Sequence, residues 1–497
     1  MTVVRLAAST LDDLDPRVEV PHYDRRALSV GVVHFGVGGF HRAHQAMYLD
    51  RLMNANAALD WAIAGVGLLP ADRAMHEALS SQDGLYTLVE REGAAPLRAR
   101  VVGSLARHHF APDDPARVLA ELTSPGTRIV SLTITEGGYN IDPVTGAFDL
   151  DAPAIRADAV PGALPTSVFG YLVEALARRR AAGVVPFTVV SCDNIQSNGA
   201  VARRSVQGFA SLRDEELAAW IGTAVAFPNS MVDRITPVTT PDDIAELASQ
   251  LGVEDAWPVV CEPFTQWVLE DSFVSGRPPL ELAGVQLTSD VGPYEKMKLR
   301  LLNASHQALA YSGYLSGYRY AHDAAADPVF EKFLRDYMAE ARPTLDPVPG
   351  IDLDDYCGTL IARFANPGIR DTIARLCAFS SDRIPKWVLP VIRDNLAAGR
   401  PIARAVAIVA SWARYAEGRD EQGRPIALED ARRDEVMAAA QRRRDDVLGF
   451  VRNEQLFGDL ARVPEFASLY EHALGSFVTR GARRTLELLN ESGGFEP

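Results

Sequence analysis

Cysteine is scarce: Cys192, Cys261, Cys357 and Cys377 are the only four in 497 residues, and no two form a C-x-x-C pair. This argues against a disulfide framework or a thiolate zinc site and fits reduced thiols in a cytoplasmic setting. The ten histidines show no ligand spacing either, so no metal is expected. Long apolar runs are also lacking, since no window reaches the ~18 uninterrupted apolar residues of a membrane span. The opening "MTVVRLAASTLDDLDPRVEV" has acids and a proline where a secretory segment would be apolar. Positive charge is in deficit, with 50 Lys and Arg against 65 Asp and Glu, a formal net charge of -15. Such a field repels phosphate backbones and anionic lipid, and the basic runs "ARRRAAG" and "AQRRRDD" read as solvated helix faces. Neither nucleic acid nor membrane is an expected partner, and the expected location is cytoplasmic.

Apolar residues, by contrast, are plentiful at 47%, enough for the cores of two large domains. Residues 1–28 read as an irregular lead wrapping the first domain. From residue 30 the chain runs through "VGVVHFGVGGF", a helical "HRAHQAMYLDRLMN" and a second strand candidate "DWAIAGVGL". That order is the βαβ unit of a parallel sheet. Further strand candidates fall at 127–135, 186–194, 223–230 and 257–264, several of them separated by helical segments. Beyond about residue 286 strand candidates nearly vanish and helical patterns take over. The expected fold is α/β: a Rossmann-like doubly wound sheet domain over residues 1–285, then a mostly α-helical substrate and catalytic domain over 286–497.

In "HFGVGGFHRAH", Gly36 and Gly38 follow a strand and open a helix, where backbone N–H groups can approach a pyrophosphate unobstructed. The fingerprint is incomplete: Gly39 is extra, and His41 stands where the third glycine belongs. The context predicts dinucleotide binding, while a plain strand-to-helix turn is the structural alternative. The ribose-reading acid is assigned to Asp72, just past the second strand. Its carboxylate favours NAD, Arg73 beside it leaves room for NADP, and helix capping is a compatible role for Asp72.

"KLRLLNASH" places Lys298, Asn303 and His306 on an otherwise apolar helix. With α-helical geometry they lie at about 0°, 140° and 80° around the axis and line one side of a pocket at the domain interface. Oxidising an alcohol needs a base for the hydroxyl proton and donors for the developing alkoxide. A desolvated lysine, an asparagine amide and a histidine supply these without a metal. Tyr294 and Lys298 match a Y-x-x-x-K spacing, but their place in the helical half argues against short-chain dehydrogenase chemistry.

Six ordered motifs carry a resemblance over nearly the whole chain: "GVGGFHRAHQ", "TITEGGYN", "SCDNIQSNG", "FPNSMVDRITP", "EPFTQWVLEDSF" and "KLRLLNASH". The sequence resembles the polyol-specific long-chain dehydrogenases of the mannitol 2-dehydrogenase family. The resemblance implies Lys298 as general base, Asn194 and Asn303 as the oxyanion-stabilising amides and His306 as a substrate hydrogen-bonder. It further implies Asp233 at the substrate site and Glu295 in proton exit. Gly36, Gly38, Gly39, Phe40, Arg42 and Asp72 are then expected to hold NAD. The expected reaction is D-mannitol to D-fructose, with arabinitol and sorbitol as further substrates and a monomer as the assembly. Fructuronate reduction is the alternative and would need a cation such as Arg375, Arg383 or Lys386 facing the substrate. A non-catalytic dinucleotide sensor would have lost the lysine, asparagine and histidine, and all are present.

Overall fold

The computed structural model describes residues 2–141, 147–160 and 162–494. The chain divides into two compact units, residues 1–292 and 293–497.

The first unit is built on a five-stranded parallel sheet. Its strands are β1 (Val30–Phe35), β2 (Ala62–Gly67), β3 (Leu105–Phe110), β4 (Ile129–Leu132) and β5 (Thr188–Ser191), in the spatial order β3-β2-β1-β4-β5. Every neighbouring pair is parallel, and the order reverses at β1, where such sheets bind ligands beyond the strand ends. β1 is buried on both faces, as parallel strands are. Val33 and Phe35 pack towards one core with Val130, Leu132 and Val189, whereas Val32 packs towards the other with Ile63, Ile129 and Val190. The glycine turn leads into α1 (Gly39–Ala43) and α2 (Gln45–Asn54), and α3 (Arg73–Ser81) follows β2.

A second sheet of mixed direction pairs Val259–Cys261, Tyr86–Glu90, Arg98–Val102 and Val18–Glu19. A third joins β6 (Ser230–Asp233), β7 (Gln266–Glu270) and β8 (Gln286–Thr288). The lead segment does pack on this unit, since Val4–Arg5 pairs with Val253–Glu254.

One expectation fails here. Residues 223–230 are not a strand: the helix Glu215–Ala224, capped by Asp214, consumes the first of them, and pairing begins only at Ser230. Asp233 ends β6, which runs antiparallel to β7 in the third sheet.

Among its described residues the second unit has no strand, only the isolated bridges Tyr320–Thr372 and Arg419–Pro425. Its helices include α4 (Gly292–Met297, which begins at the unit boundary), α5 (Ala304–Leu315), α6 (Pro328–Ala341), α7 (Ser380–Trp387), α8 (Ala403–Ala416) and α9 (Pro464–Arg480). All of α8 but Arg414 is buried, which suits an apolar central helix. No helix among the described residues is long and apolar enough to cross a membrane.

Candidate active site

The glycine turn is held from below by a histidine. His34, on β1, meets Ser131 Oγ at 2.8 Å through Nδ1 and Thr133 Oγ1 at 3.0 Å through Nε2. Complete burial pulls its pKa down to about 3, so the ring is neutral. Thr133 Oγ1 already donates to Gly36 O, at 2.8 Å. The consistent tautomer therefore has the proton on Nε2, donating to the threonine, while Nδ1 accepts from Ser131. Gly36 has φ +89°, and a Cβ there would lie 2.1 Å from Thr133 O, so only glycine fits between the ends of β1 and β4. Gly36, Gly38, Gly39 and Phe40 all keep some exposure.

His41 stands where the third glycine of the fingerprint belongs. That glycine ordinarily lets the helix approach the strand. Here the His41 ring lies flat on the His34 ring, with centroids 3.5 Å apart and planes 9° apart, so stacked rings replace a missing side chain. Arg42 departs from its expected role. Its guanidinium is buried, donates to Trp257 O and lies over the Tyr86 ring, while Tyr86 Oη donates to Arg42 O. These contacts make it an internal brace rather than a cofactor ligand.

Asp72 sits one short turn beyond β2. Its Oδ2 accepts from Leu68 N and Leu69 N, both at 2.8 Å, and it does not cap α3 through its side chain. One carboxylate oxygen thus shapes the loop. Arg73 is engaged by Asp113 through two hydrogen bonds.

Past β5, Asn194 is exposed and follows the buried Asp193. Asp193 is the residue that sequence reasoning missed. Its carboxylate accepts from Ile134 N at 3.0 Å, Thr135 N at 2.9 Å and Tyr139 Oη at 2.7 Å. Burial raises its pKa to about 6 against the pull of those donors. Thr135 has φ 60° and ψ 169°, a region that a β-branched residue adopts only under strain. Asp193 therefore pins a strained turn beside Asn194. The D-N pair inside "SCDNIQSNG", together with the double glycine of "TITEGGYN", was the available signal.

In the second unit, Lys298 is buried and opens a π-helical segment, Lys298–Asn303, set between α4 and α5. This overturns the continuous α-helix and its 140° separation. An i→i+5 hydrogen-bond pattern brings Asn303 round towards the face of Lys298, and His306 is an i+3 neighbour of Asn303 on the following α-helix. The wider turn thereby gathers the three polar residues. Asn303 Oδ1 is buried with no hydrogen-bond partner among the described residues, a group whose cost is ordinarily recovered by a ligand or water. The His306 ring packs on Phe364 at 4.6 Å. Glu295 is half-buried on α4, and Tyr294 Oη donates to Pro349 O at 2.7 Å, which occupies the hydroxyl of the Y-x-x-x-K pair. Among the described residues no set of His, Cys, Asp and Glu could hold a metal ion.

Residues 30–282 match the family model of the mannitol dehydrogenase Rossmann domain, and residues 290–478 that of the mannitol dehydrogenase C-terminal domain. The chain belongs to the mannitol dehydrogenase family. It is 46% identical to a mannitol 2-dehydrogenase of Phaeosphaeria nodorum over 97% of this chain and 85% of that one. With a mannitol 2-dehydrogenase of Aspergillus fumigatus it shares 45% identity over 94% of this chain and 95% of the other.

Two solved structures match the whole architecture of this family member. The Pseudomonas fluorescens mannitol 2-dehydrogenase in ternary complex with NAD and D-mannitol aligns with a TM-score of 0.89 at 45% identity, covering 98% of this chain and 100% of that one. A D-sorbitol dehydrogenase in substrate-free form aligns with a TM-score of 0.89 at 39% identity, covering 97% and 100%. The Rossmann-like unit followed by a helical unit is thus the family's fold.

Proposed function

We propose that the protein is an NAD-dependent mannitol 2-dehydrogenase, interconverting D-mannitol and D-fructose. The observation that carries this reading is the 45% identity, over 98% of the chain, to an enzyme crystallised with NAD and D-mannitol. The residues suit the cofactor. The open Gly38 and Gly39, whose added Cβ atoms would meet nothing closer than 3.8 and 3.6 Å, leave backbone free to approach a pyrophosphate. Asp72 would take a ribose hydroxyl on the oxygen not spent on the loop. NAD, when bound, supplies the nicotinamide carbon that accepts the hydride.

In the proposed mechanism Lys298 takes the proton from the secondary hydroxyl, and the amides of Asn194 and Asn303 donate to the oxygen as it becomes an alkoxide. The C–H bond breaks with its electron pair, the carbonyl of the ketose forms, and the proton ends on the lysine. His306 orders the substrate hydroxyls, Asp233 accepts a hydrogen bond from one of them, and Glu295 takes the proton onward. In reduction the lysine ammonium returns it.

The hexuronate alternative lacks support. Arg375 is held by Asp371, Lys386 by Asp382 at 2.6 Å, and Arg383 donates to the carbonyls of Arg375 and Leu376. Arabinitol and D-sorbitol remain proposed secondary substrates, the latter by likeness to the sorbitol dehydrogenase. A monomer is proposed from the family resemblance, and a cytoplasmic location from four cysteines that are all free.

Nicotinamide absorbance at 340 nm tests the reading. NADH-dependent fructose reduction, with mannitol the best NAD-linked alcohol, supports it. Preference for fructuronate, or no turnover of any pair, overturns it.

A further inference from the structure

We propose that Asp113 sets the preference for NAD over NADP by withholding Arg73 from a 2'-phosphate. The inference rests on the NAD-dependent reading above and deepens it by naming a specificity residue. Arg73 is the first residue of α3 and directly follows Asp72. In dinucleotide folds an acid at this strand end takes the ribose 2'-hydroxyl, and a nearby arginine is what accommodates a 2'-phosphate. Arg73 stands in that position, but its fork is already spent. Nη1 donates to Asp113 Oδ2 at 3.1 Å and Nη2 to Asp113 Oδ1 at 2.7 Å, while the guanidinium carbon sits 4.5 Å from the Phe110 ring centroid.

The clamp spans the ends of adjacent strands. Asp113 lies three residues past β3, its N–H donating to Phe110 O at 3.1 Å, and β3 pairs with β2, from which Asp72 and Arg73 emerge. Phe110 closes β3 and supplies the ring beneath Arg73. Neither His76 nor His108 substitutes as a cation. His76 and His108 face each other at 3.0 Å through their Nδ1 atoms, and burial lowers the pKa of both rings. Arg73 and Asp113 are 50% and 54% exposed, so their pair does little for the stability of the fold. The cation that could hold a 2'-phosphate is thus bound in a bidentate pair.

The test compares Asp113→Asn and the double variant Asp113→Asn/Arg73→Ala with wild type. It reads the ratio of kcat/KM for NADP to that for NAD with mannitol, together with NADPH and NADH dissociation constants by fluorescence quenching. In Asp113→Asn the ratio is expected to rise by up to about fivefold, through KM for NADP. In the double variant the rise is expected to disappear. Asp271→Asn, which removes one of the two carboxylates that hold Arg277 elsewhere on the same unit, is expected to leave the ratio alone.

An unmoved ratio in Asp113→Asn, a rise that survives loss of Arg73, or an equal rise in Asp271→Asn overturns the proposal. Wild-type protein that binds neither NADH nor NADPH overturns the functional reading itself and this inference with it. Nucleotide binding with a normal preference that ignores Asp113 overturns this inference alone.

Discussion

The three glycines of the turn separate folding from cofactor binding when each is replaced by alanine. Gly36→Ala places a Cβ 2.1 Å from Thr133 O at φ +89°. The left-handed backbone costs an L-residue about 1–2 kcal/mol, and pushing a backbone carbonyl aside adds roughly 1–3 kcal/mol. The sum, about 2–5 kcal/mol, lowers Tm by roughly 5–15 °C in a unit of this size. Gly38 has φ -112°, and the nearest atoms to an added Cβ at Gly38 and Gly39 lie 3.8 and 3.6 Å away. Gly38→Ala and Gly39→Ala are therefore expected to keep Tm within about 2 °C. Their methyl groups would stand where backbone must meet pyrophosphate, weakening NADH binding roughly tenfold or more. Thermal melts and NADH fluorescence titrations on the three variants read both quantities. Wild-type NADH affinity in Gly38→Ala would refute the cofactor assignment of the turn, and an unchanged Tm in Gly36→Ala would refute the steric argument.

Lys298→Ala should lower kcat by about 10²–10⁴ with a smaller change in the KM for mannitol, and it should remove the fall of the mannitol oxidation rate at low pH, where the base is protonated. Stopped-flow turnover near the wild-type rate would sink the general-base role. Asp72→Asn keeps an oxygen for the two loop N–H groups while removing the charge, so the NADP-to-NAD ratio of kcat/KM should rise about tenfold with Tm almost unmoved. Asp72→Ala should also destabilise, because both N–H groups lose their acceptor; equal melts for the two variants would contradict the loop geometry. Asp193, with a folded pKa of about 6 against 3.8 unfolded, binds its proton more tightly in the native state. Its contribution to stability therefore falls as pH rises from 3.8 to 6, by about 3 kcal/mol in total. The stability difference between wild type and Asp193→Asn should accordingly widen in favour of wild type between pH 7 and pH 5 in urea unfolding, and a pH-independent difference would refute the shift.

The legible parts of the fold were those whose burial is written in composition. β1, β2, β4 and β5 are short apolar runs covered on both faces, and a period-free run between turn signals marks such strands well. β3, "LARHHF", gave no such signal. It is the edge strand of the sheet, paired only with β2, and its consecutive Arg107, His108 and His109 reflect partial exposure. Residues 223–230 misled in the other direction. Thr223 and Ala224 end a helix fixed by the Asp214 cap, which lies outside the run that was read, while Val225 and Phe227 pack on the core from irregular backbone.

At the candidate site the sequence determined which chemistry is present: a lysine, amides and a histidine in ordered motifs, and glycines at a strand end. Tertiary structure decided what each group can do. Arg42 is a brace because Trp257 and Tyr86 surround it, and Asp113 reaches Arg73 only because β3 and β2 are neighbours. His41 replaces a glycine because His34 lies beneath it. The π turn at Lys298–Asn303 has no periodic signature, since an i→i+5 pattern inserts one residue without altering composition, and only the packed helix fixes which carbonyl each N–H meets. Residue type is local and is read from one position at a time. Hydrogen-bond partners, burial and charge pairing belong to pairs of residues far apart in the chain, such as Asp193 with Thr135 or Gly36 with Thr133, and only folding brings them together.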